Sequence, residues 1–306
     1  MEYGAHLPLA DLGDGFSLAA LQDYARAASE LGYSWLCAND HLVFSRPWLD
    51  GLTALSAVIE RSGDMTLATT VSLPVIRGPA VLAKALTALD VLSGGRVVAG
   101  VGPGSSAADY GLVGVPFEER WRRFDEALRA LRGLLGNSTD DAGAANDRSD
   151  RVRLEPRSPR PGPPLWVASW GSPAGLRRAA EVGDGWIASA YNVTPERFRE
   201  HLGTLRTFRP SGGRRLPHAL ATTWTYVCED PAGAERMLTD VLSPLLNRPV
   251  ESLRDLPIGP AEVCAQRLGA FAAAGVERVL LWPLTEPIRQ LELIRERVAP
   301  LVQSST

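Results

Sequence analysis

The feature that most constrains this chain is a regular alternation of short apolar runs, rich in β-branched residues, with longer amphipathic stretches. The short runs have the length and composition of buried strands, and the longer stretches repeat apolar residues at helical spacing. Eight strands are predicted, at residues 2–9, 34–39, 65–73, 96–102, 165–169, 185–189, 219–228 and 277–284. Eight strand–helix units joined by right-handed crossovers predict the α/β class and a (β/α)8 TIM barrel with loop insertions. A doubly wound sheet is the alternative.

Capping and breaking residues delimit the helices between these strands. Ser17 is a suitable N-cap for a helix over 18–31, and Pro79 begins a helix over 79–92. Further helices are predicted over 52–60, 117–135, 173–182, 195–207, 232–242, 260–274 and 288–302. Residues 137–164 interrupt the alternation, because they are first polar and then proline-rich. We interpret them as an insertion in a single domain that spans residues 1–306.

Composition argues against several classes of function. The net charge is -3, and no basic stripe with interleaved aromatic residues suggests a nucleic-acid partner. No apolar run reaches the roughly 18 residues that a membrane helix needs. Three widely spaced cysteines predict a reduced, cytoplasmic protein. The single lysine, Lys84, lies in an apolar helical pattern, which argues against a Schiff-base enzyme, and no ligand spacing predicts a metal site.

A carboxylate stands beside an imidazole at the end of the second predicted strand, in Asp40 and His41. In a parallel barrel, side chains at the carboxyl ends of the strands line the active site. There the pair could hold a polar group of a cofactor and move a proton near neutral pH. The alternative is structural: Asp40 would cap a turn and His41 would bond a loop carbonyl.

Two loops at the same end of the predicted barrel could bind a cofactor. Gly102, Pro103 and Gly104 follow strand four, where glycines let the backbone approach a flat ring or a phosphate. A tight turn is the alternative, and the spacing does not match a dinucleotide fingerprint. Gly171 and Ser172 precede a helix that begins with proline, so its free N–H groups suit an anion such as a phosphate. An ordinary capped helix is the alternative there.

Aromatic residues near predicted strand ends and top loops could wall an apolar pocket. They are Trp48, Trp170, Tyr191, Trp224 and Trp282. Each could instead pack in the core, because aromatic side chains bury a large area. Among the other histidines, His6 is expected to point inward from strand one, and His201 and His218 are expected at the surface.

Six segments carry a resemblance along nearly the whole chain. They are residues 38–42 (ANDHL), 79–90 (PAVLAKALTALD), 92–104 (LSGGRVVAGVGPG), 114–120 (GVPFEER), 183–186 (GDGW) and 274–283 (AGVERVLLWP). In these segments the chain resembles the luciferase-like monooxygenase superfamily, in its branch of flavin- and deazaflavin-dependent oxidoreductases.

The resemblance implies that coenzyme F420, or alternatively FMN, binds at the carboxyl end of a TIM-type barrel. By similarity, Asp40 would bind the ring of the cofactor and His41 would lie over its reactive face. A non-prolyl cis peptide that bulges against the ring is expected near Thr70-Val71. The glycine turn at 102–104 would pass close to the ring, and residues 171–172 would lie beside the phosphate of the cofactor's side chain.

The resemblance also implies an activity, which is hydride transfer between the deazaflavin and a small organic substrate. His41 would supply or receive the accompanying proton. With FMN, the same pocket would serve a monooxygenase that uses molecular oxygen, and a cofactor-binding barrel without turnover is a third hypothesis. Sugar-phosphate dehydrogenases of this group have a carboxylate where this chain has Ser105. Together with the lack of a lysine for a substrate phosphate, this argues against that substrate class.

The remaining expectations concern partners. They are a small-molecule substrate and a second copy of the chain in a homodimer, with neither nucleic acid nor a membrane. Deazaflavin side chains carry carboxylates that arginines could meet, with surface solvation as the alternative for each. The candidates are Arg77, Arg120, Arg177 and Arg178.

Overall fold

Parallel strands close into an eight-stranded barrel in the computed structural model, which describes residues 1–13, 15–136, 154–158, 162–209 and 215–304. The barrel strands are β1 (Glu2–His6), β2 (Trp35–Ala38), β3 (Thr66–Thr69), β4 (Val97–Val101), β5 (Leu165–Ala168), β6 (Gly185–Ser189), β7 (His218–Val227) and β9 (Arg278–Pro283). A two-residue strand, β8 (Ile258–Gly259), adds to β7. The ring runs from β1 to β7, and β9 joins β7 back to β1. This closure confirms the predicted TIM barrel and excludes the doubly wound sheet.

Helices connect the strands and cover the outside of the barrel. They are α1 (Leu18–Glu30), α2 (Gly51–Ala57), α3 (Pro74–Arg77), α4 (Pro79–Leu92), α5 (Ala107–Leu112), α6 (Arg120–Leu135), α7 (Pro173–Val182), α8 (Pro195–Thr207), α9 (Pro231–Arg236), α10 (Ser243–Leu246), α11 (Ala261–Ala273), α12 (Pro287–Leu293) and α13 (Ala299–Ser304). Helices α4, α7 and α8 begin and end as predicted, and each starts with a proline. Proline suits the first helical position because its fixed φ is already helical and it lacks an N–H that would go unpaired.

The strands are apolar on both faces because each face is buried against a different layer. In β2, Trp35 and Cys37 pack in a cluster of inward residues with Ala68, Val98 and other strand residues. Leu36, between them, belongs to the larger cluster that joins the strands to the helices. Successive side chains of a strand point to opposite faces, and both faces of a parallel sheet are covered. The sequence of β2 therefore reads as continuously apolar rather than alternating.

Two loops are joined at the carboxyl ends of β1 and β2. The Leu49 N–H donates to the carbonyl of Leu9 over 2.9 Å, and the Asp11 N–H donates to the carbonyl of Pro47 over 3.0 Å. These bonds flank an antiparallel bridge between Ala10 and Trp48, which holds the loop that carries Trp48 across this end of the barrel. Of the insertion predicted at 137–164, residues 137–153 and 159–161 lie outside the described residues.

Candidate active site

A cavity of about 440 Å³ opens at the carboxyl end of the barrel. Its wall is built from the segments that follow β2, β3, β4 and β5 and from residues of β6 and β7, which is the usual place for the active site of this fold. Ten of the fourteen residues predicted for catalysis, cofactor binding or the aromatic pocket lie in this wall. They are Asp40, His41, Thr70, Val71, Gly102, Pro103, Gly104, Trp170, Ser172 and Tyr191.

Asp40 is a buried carboxylate whose two oxygens are both engaged by Arg77. The guanidinium donates from Nε to Asp40 Oδ2 over 2.5 Å and from Nη2 to Oδ1 over 2.8 Å, and the Leu73 N–H also donates to Oδ2 over 3.3 Å. Arg77 donates to Asp50 as well, so one guanidinium joins two carboxylates. The hydrogen bond to Asp40 is the largest influence on Arg77, and it raises the pKa of the guanidinium. The Asp40 carboxylate therefore lines the cavity in a fixed position. Its oxygens retain lone pairs that could accept hydrogen bonds from a ligand.

His41 is paired with a different carboxylate, Asp109. Its Nδ1 lies 3.1 Å from Asp109 Oδ2, and its side chain is 18% exposed while that of Asp109 is 1% exposed. Burial of Asp109 favours its neutral form, but the hydrogen bonds from His41 and from the backbone N–H groups of Val43 and Leu42 outweigh it and lower the pKa of the carboxyl. His41 lines the cavity and is anchored by Asp109 at its Nδ1 atom.

Between β3 and β4 the backbone itself forms the cavity wall. The peptide bond Thr70-Val71 is cis, at the position that the resemblance predicts. Gly102 lies against Val71, where an added Cβ would come within 2.8 Å of Cγ2. Gly104 has a φ of +77°, a left-handed conformation that favours glycine. A side chain at 102 would press on Val71, and one at 104 would crowd Leu73 in a strained backbone conformation, so glycine fits both positions of this wall.

The loop between β5 and α7 forms another part of the wall. Ser172 caps α7 by accepting a hydrogen bond from the Gly175 N–H, and Ser169 Oγ accepts from the Gly171 N–H over 3.1 Å. Gly171 is not itself in the cavity wall. It has a φ of +100°, and a Cβ there would lie 1.8 Å from Cε1 of His201. Only glycine can occupy this turn, because the imidazole of His201 packs directly beneath it.

The predicted aromatic pocket divides into two groups. Trp170, which is 55% exposed, and Tyr191 are in the cavity wall. Trp224 and Trp282 are buried and stack on each other with centroids 3.9 Å apart, and neither lines the cavity. Trp48 also lies outside the wall, with an edge on Trp282 at 5.6 Å.

The second group, Trp48, Trp224 and Trp282, is nevertheless connected to the site, because Trp48 contacts His41. The His41 ring is 5.2 Å from that of Trp48 and 4.7 Å from that of Phe44. On the far side, His6 stacks on Trp282 at 3.5 Å, so His6 does point inward as expected. The imidazole of His41 therefore stands between the cavity and a packed column of rings.

Two histidine expectations were wrong, because His201 and His218 are both buried rather than at the surface. His218 lies in β7, where its Nε2 is 2.8 Å from the carbonyl of Gly275. His201 lies on α8 under the Gly171 turn, with its ring edge toward Trp186. Burial lowers the pKa of both imidazoles. The burial of these two histidines cannot be predicted from the local sequence, because the residues that cover them come from other parts of the chain.

The four arginines considered for a cofactor's carboxylates have different surroundings. Arg77 is bound to Asp40, and Arg178 donates to Asp125. Arg177 lies over the ring of Phe208. Arg120 is in the cavity wall, where its Nη1 donates to the carbonyl of Phe117 over 3.0 Å, and it forms no ion pair with a described carboxylate. Arg120 is thus the one of these four that is placed to meet an anionic group of a ligand.

Local sequence patterns do not identify several of the candidate functional residues. Asp109 and Asn39 were not singled out, and Arg77 was considered only for a cofactor's side chain. Asn39 precedes the Asp40-His41 pair, lines the cavity and has a buried Oδ1 with no described partner. Its place beside that pair could have marked it. Asp109 lies 68 positions from His41 along the chain, and no local spacing signals their contact.

These features fit a flat, polar ring with an anionic side chain. Two buried polar atoms in the wall, Asn39 Oδ1 and Thr70 Oγ1, have no partner in the described protein. Buried polar atoms are normally hydrogen-bonded, so a bound molecule that pairs with them is expected. The backbone at 102–104 lines the cavity, and the capped N-terminus of α7 suits a phosphate. No group of three or more His, Cys, Asp or Glu that could hold a metal occurs in the described part of the chain.

Comparison with known proteins gives a consistent result. A family model described as luciferase-like monooxygenase matches residues 3–256. An F420-dependent hydroxymycolic acid dehydrogenase of Mycobacterium tuberculosis is 28% identical over 314 residues, covering 93% of this chain and 85% of that protein. An F420-dependent glucose-6-phosphate dehydrogenase of Amycolatopsis mediterranei is 31% identical over 182 residues, covering 56% of this chain and 53% of that protein. The match thus spans about half the length of the latter relative.

Solved structures share the fold across nearly the whole chain. An F420-dependent secondary alcohol dehydrogenase, solved with an F420–acetone adduct, superposes with a TM-score of 0.77 and 18% identity, covering 98% of both chains. A monooxygenase from Streptomyces bottropensis superposes with a TM-score of 0.76 and 21% identity, covering 98% of this chain and 99% of that one. Among the helices that the structure describes, none is both long and apolar enough to cross a membrane.

Proposed function

Because this chain belongs to the luciferase-like monooxygenase family, we propose that it is an F420-dependent oxidoreductase acting on a small alcohol or the matching carbonyl compound. The observation that carries the proposal is the position of His41, whose imidazole lines the same cavity as the glycine turn at 102–104. The named relatives at 28% and 31% identity are F420-dependent dehydrogenases, which supports the deazaflavin over FMN.

Each part of the site has a role in this proposal. Asn39, Asp40 and Thr70 would bind polar groups of the F420 ring, and Gly102 and Gly104 would let the backbone lie against it. The N-terminus of α7 at Ser172 would hold the phosphate, and Arg120 would meet a carboxylate of the side chain. Bound F420 supplies the hydride acceptor or donor.

His41 would perform the proton transfer that accompanies the hydride. During oxidation its imidazole takes the proton of the substrate hydroxyl, and during reduction it returns a proton to the carbonyl oxygen. The aromatic rings of Trp48 and Phe44 pack beside the imidazole of His41. The cavity wall also contains the neutral residues Ser189 and Tyr191, which suit an uncharged substrate.

Binding experiments test the choice of cofactor. The apo-protein is titrated with F420 and, in parallel, with FMN, and binding is followed by optical spectra and calorimetry. We expect F420 to bind in the micromolar range or tighter and FMN to bind at least tenfold more weakly. Submicromolar binding of FMN without affinity for F420 would favour an oxygen-using monooxygenase and contradict this proposal.

Activity is tested by F420 absorbance with a panel of primary and secondary alcohols, hydroxy acids, sugar phosphates and ketones. His41→Ala should keep its affinity for F420 and lose about 10²- to 10⁴-fold in kcat, which is the usual effect of removing a general acid–base group. Turnover that survives in His41→Ala would remove this residue from the chemistry.

We also propose that the protein works in a reducing compartment and as a homodimer. Support for the first comes from Cys37, Cys228 and Cys264, which are all unpaired. For the second, the side chains of Leu42, Val43 and Leu112 leave apolar surface exposed. Light scattering coupled to gel filtration tests the dimer, and a monomer at micromolar concentration would contradict it.

A further inference from the structure

A buried carboxylate beside the cavity carries an inference that goes deeper than the proposed function and rests on it. Asp109 lies in α5 and is anchored at its own backbone, where its N–H donates to Ser106 Oγ over 3.2 Å. Its side chain is 1% exposed. An ionised carboxylate this deeply buried is costly unless hydrogen bonds compensate for the lost water. The hydrogen-bond partners of its two carboxylate oxygens therefore indicate its role.

The two oxygens of Asp109 have different partners. Oδ1 accepts hydrogen bonds from two successive backbone N–H groups, those of Leu42 over 3.0 Å and Val43 over 2.8 Å. Oδ2 faces Nδ1 of His41 at 3.1 Å. One carboxylate thus fixes both the loop that follows His41 and the orientation of the His41 ring.

This arrangement decides where the proton of His41 lies. An ionised carboxylate can only accept hydrogen bonds, so Nδ1 must carry the hydrogen in this contact. In a neutral imidazole one ring nitrogen is a donor and the other an acceptor, and the bond made by the first determines the state of the second. Neutral His41 therefore presents an unprotonated Nε2 on the side opposite Asp109.

We propose that Asp109 is the positioning residue that holds His41 in the tautomer with hydrogen on Nδ1, so that Nε2 can act as the base of the reaction. When an alcohol is oxidised, its O–H bond breaks and the proton passes to Nε2. The C–H bond breaks as well, and its electron pair leaves with the hydrogen as hydride to the deazaflavin while the carbonyl double bond forms. Asp109 accepts no proton in this step. It stabilises the imidazolium that results, and the reverse reaction returns the proton from Nε2.

A purely structural role for Asp109, in which it only anchors the loop at 42–43, makes a different prediction. Asp109→Asn separates the two roles. Its amide oxygen can still accept from the N–H groups of Leu42 and Val43, but its NH2 group then faces Nδ1 of His41. Because that group donates, Nδ1 must become the acceptor and the hydrogen must move to Nε2. The loop stays anchored, and the base is lost.

The tautomer can be measured without any cofactor or substrate. The chain has four histidines, so long-range ¹H–¹⁵N NMR spectra of the protein labelled on imidazole nitrogen are simple, and His41→Gln identifies the signals of His41. At neutral pH the wild type should show Nδ1 protonated and Nε2 unprotonated, and Asp109→Asn should show the reverse. A wild-type spectrum with the hydrogen on Nε2, or an Asp109→Asn spectrum unchanged from it, overturns the proposal.

Kinetics complete the test in the F420-loaded protein. Asp109→Asn should lower kcat by about 10²-fold or more with little change in KM, as expected when a base is held in the wrong tautomer. Thr194→Ala, which removes the cap of α8 and lies outside the cavity wall, should leave kcat within about twofold. Equal activity of Asp109→Asn and the wild type would show that the carboxylate only anchors the loop. If the tautomers are as expected but F420 does not bind, the proposed function fails and the positioning by Asp109 stands.

Discussion

Asp40 and His41 are neighbours in the chain, but each depends on a distant partner. Arg77 holds Asp40 with two hydrogen bonds, and Asp109 holds His41 with one. The sequence predicts separate roles for the two residues, a cofactor contact for Asp40 and a proton transfer for His41, and the structure adds that His41 pairs with a distant carboxylate, Asp109. Successive side chains at a strand end point in different directions, so adjacent residues rarely serve each other.

At this scale the Asp40–Arg77 pair allows a stability prediction. Asp40 has a 4% exposed side chain, so Arg77→Met leaves a buried carboxylate without its counter-ion. We expect the free energy of unfolding at pH 7 to fall by about 3 kcal/mol, as measured by urea denaturation. Asp50→Asn is the matched control, because it removes the other carboxylate of Arg77 at a site that is 41% exposed. Asn also preserves the cap of α2, so a loss below about 1 kcal/mol is expected there. Equal losses in the two variants would contradict this account.

At the scale of the element, the ends of helices and strands position most of the residues that line the cavity. The prolines that begin α4, α7 and α8 made those helices predictable, since the signal is local. Loops that pack through distant contacts were less predictable. The turn at Gly171 needs glycine because of His201 on α8, and no pattern within residues 169–173 contains that information.

The caps of α7 and α8 permit a paired prediction. Ser172 accepts from the Gly175 N–H, and Thr194 accepts from the Arg197 N–H. Replacing either residue by Ala should lower the free energy of unfolding by about 1 kcal/mol, because each removes one N-cap. Only Ser172→Ala should also weaken F420 binding, by roughly tenfold in calorimetric titration, since Ser172 lines the cavity. An equal loss of affinity in Thr194→Ala would show that the effect is general destabilisation.

At the scale of the whole molecule, the barrel encloses imidazoles that its packing keeps neutral. Burial lowers the pKa of His6 to about 3, and it also lowers those of His201 and His218. His6 illustrates the cause, because it stacks on the ring of Trp282 and, among the residues that the structure describes, only the carbonyl of Leu7 accepts its N–H. Few polar groups are available in that space to stabilise a charged ring.

The resulting pH dependence has a definite sign. Between about pH 3 and pH 6.5 the unfolded chain binds a proton at His6 and the folded protein does not. The free energy of unfolding must therefore fall as the pH is lowered through this window and gain nothing further from His6 above it. His6→Phe keeps an aromatic ring against Trp282 and removes the titrating group. The loss of stability from pH 6.5 to pH 5.0 should then shrink by about 2 kcal/mol in urea unfolding. Parallel pH profiles of variant and wild type would contradict this.

The sequence by itself determined the succession of strands and helices, the barrel they form and the end at which polar and glycine residues gather. These follow from apolar periodicity, caps and breakers, all of which act within a few residues. Tertiary structure alone decided that Asp109 pairs with His41, that Trp224 and Trp282 pack against each other, and that His201 lies beneath Gly171. Such contacts join segments brought together only when the barrel closes, so their energies depend on distances that no local pattern encodes.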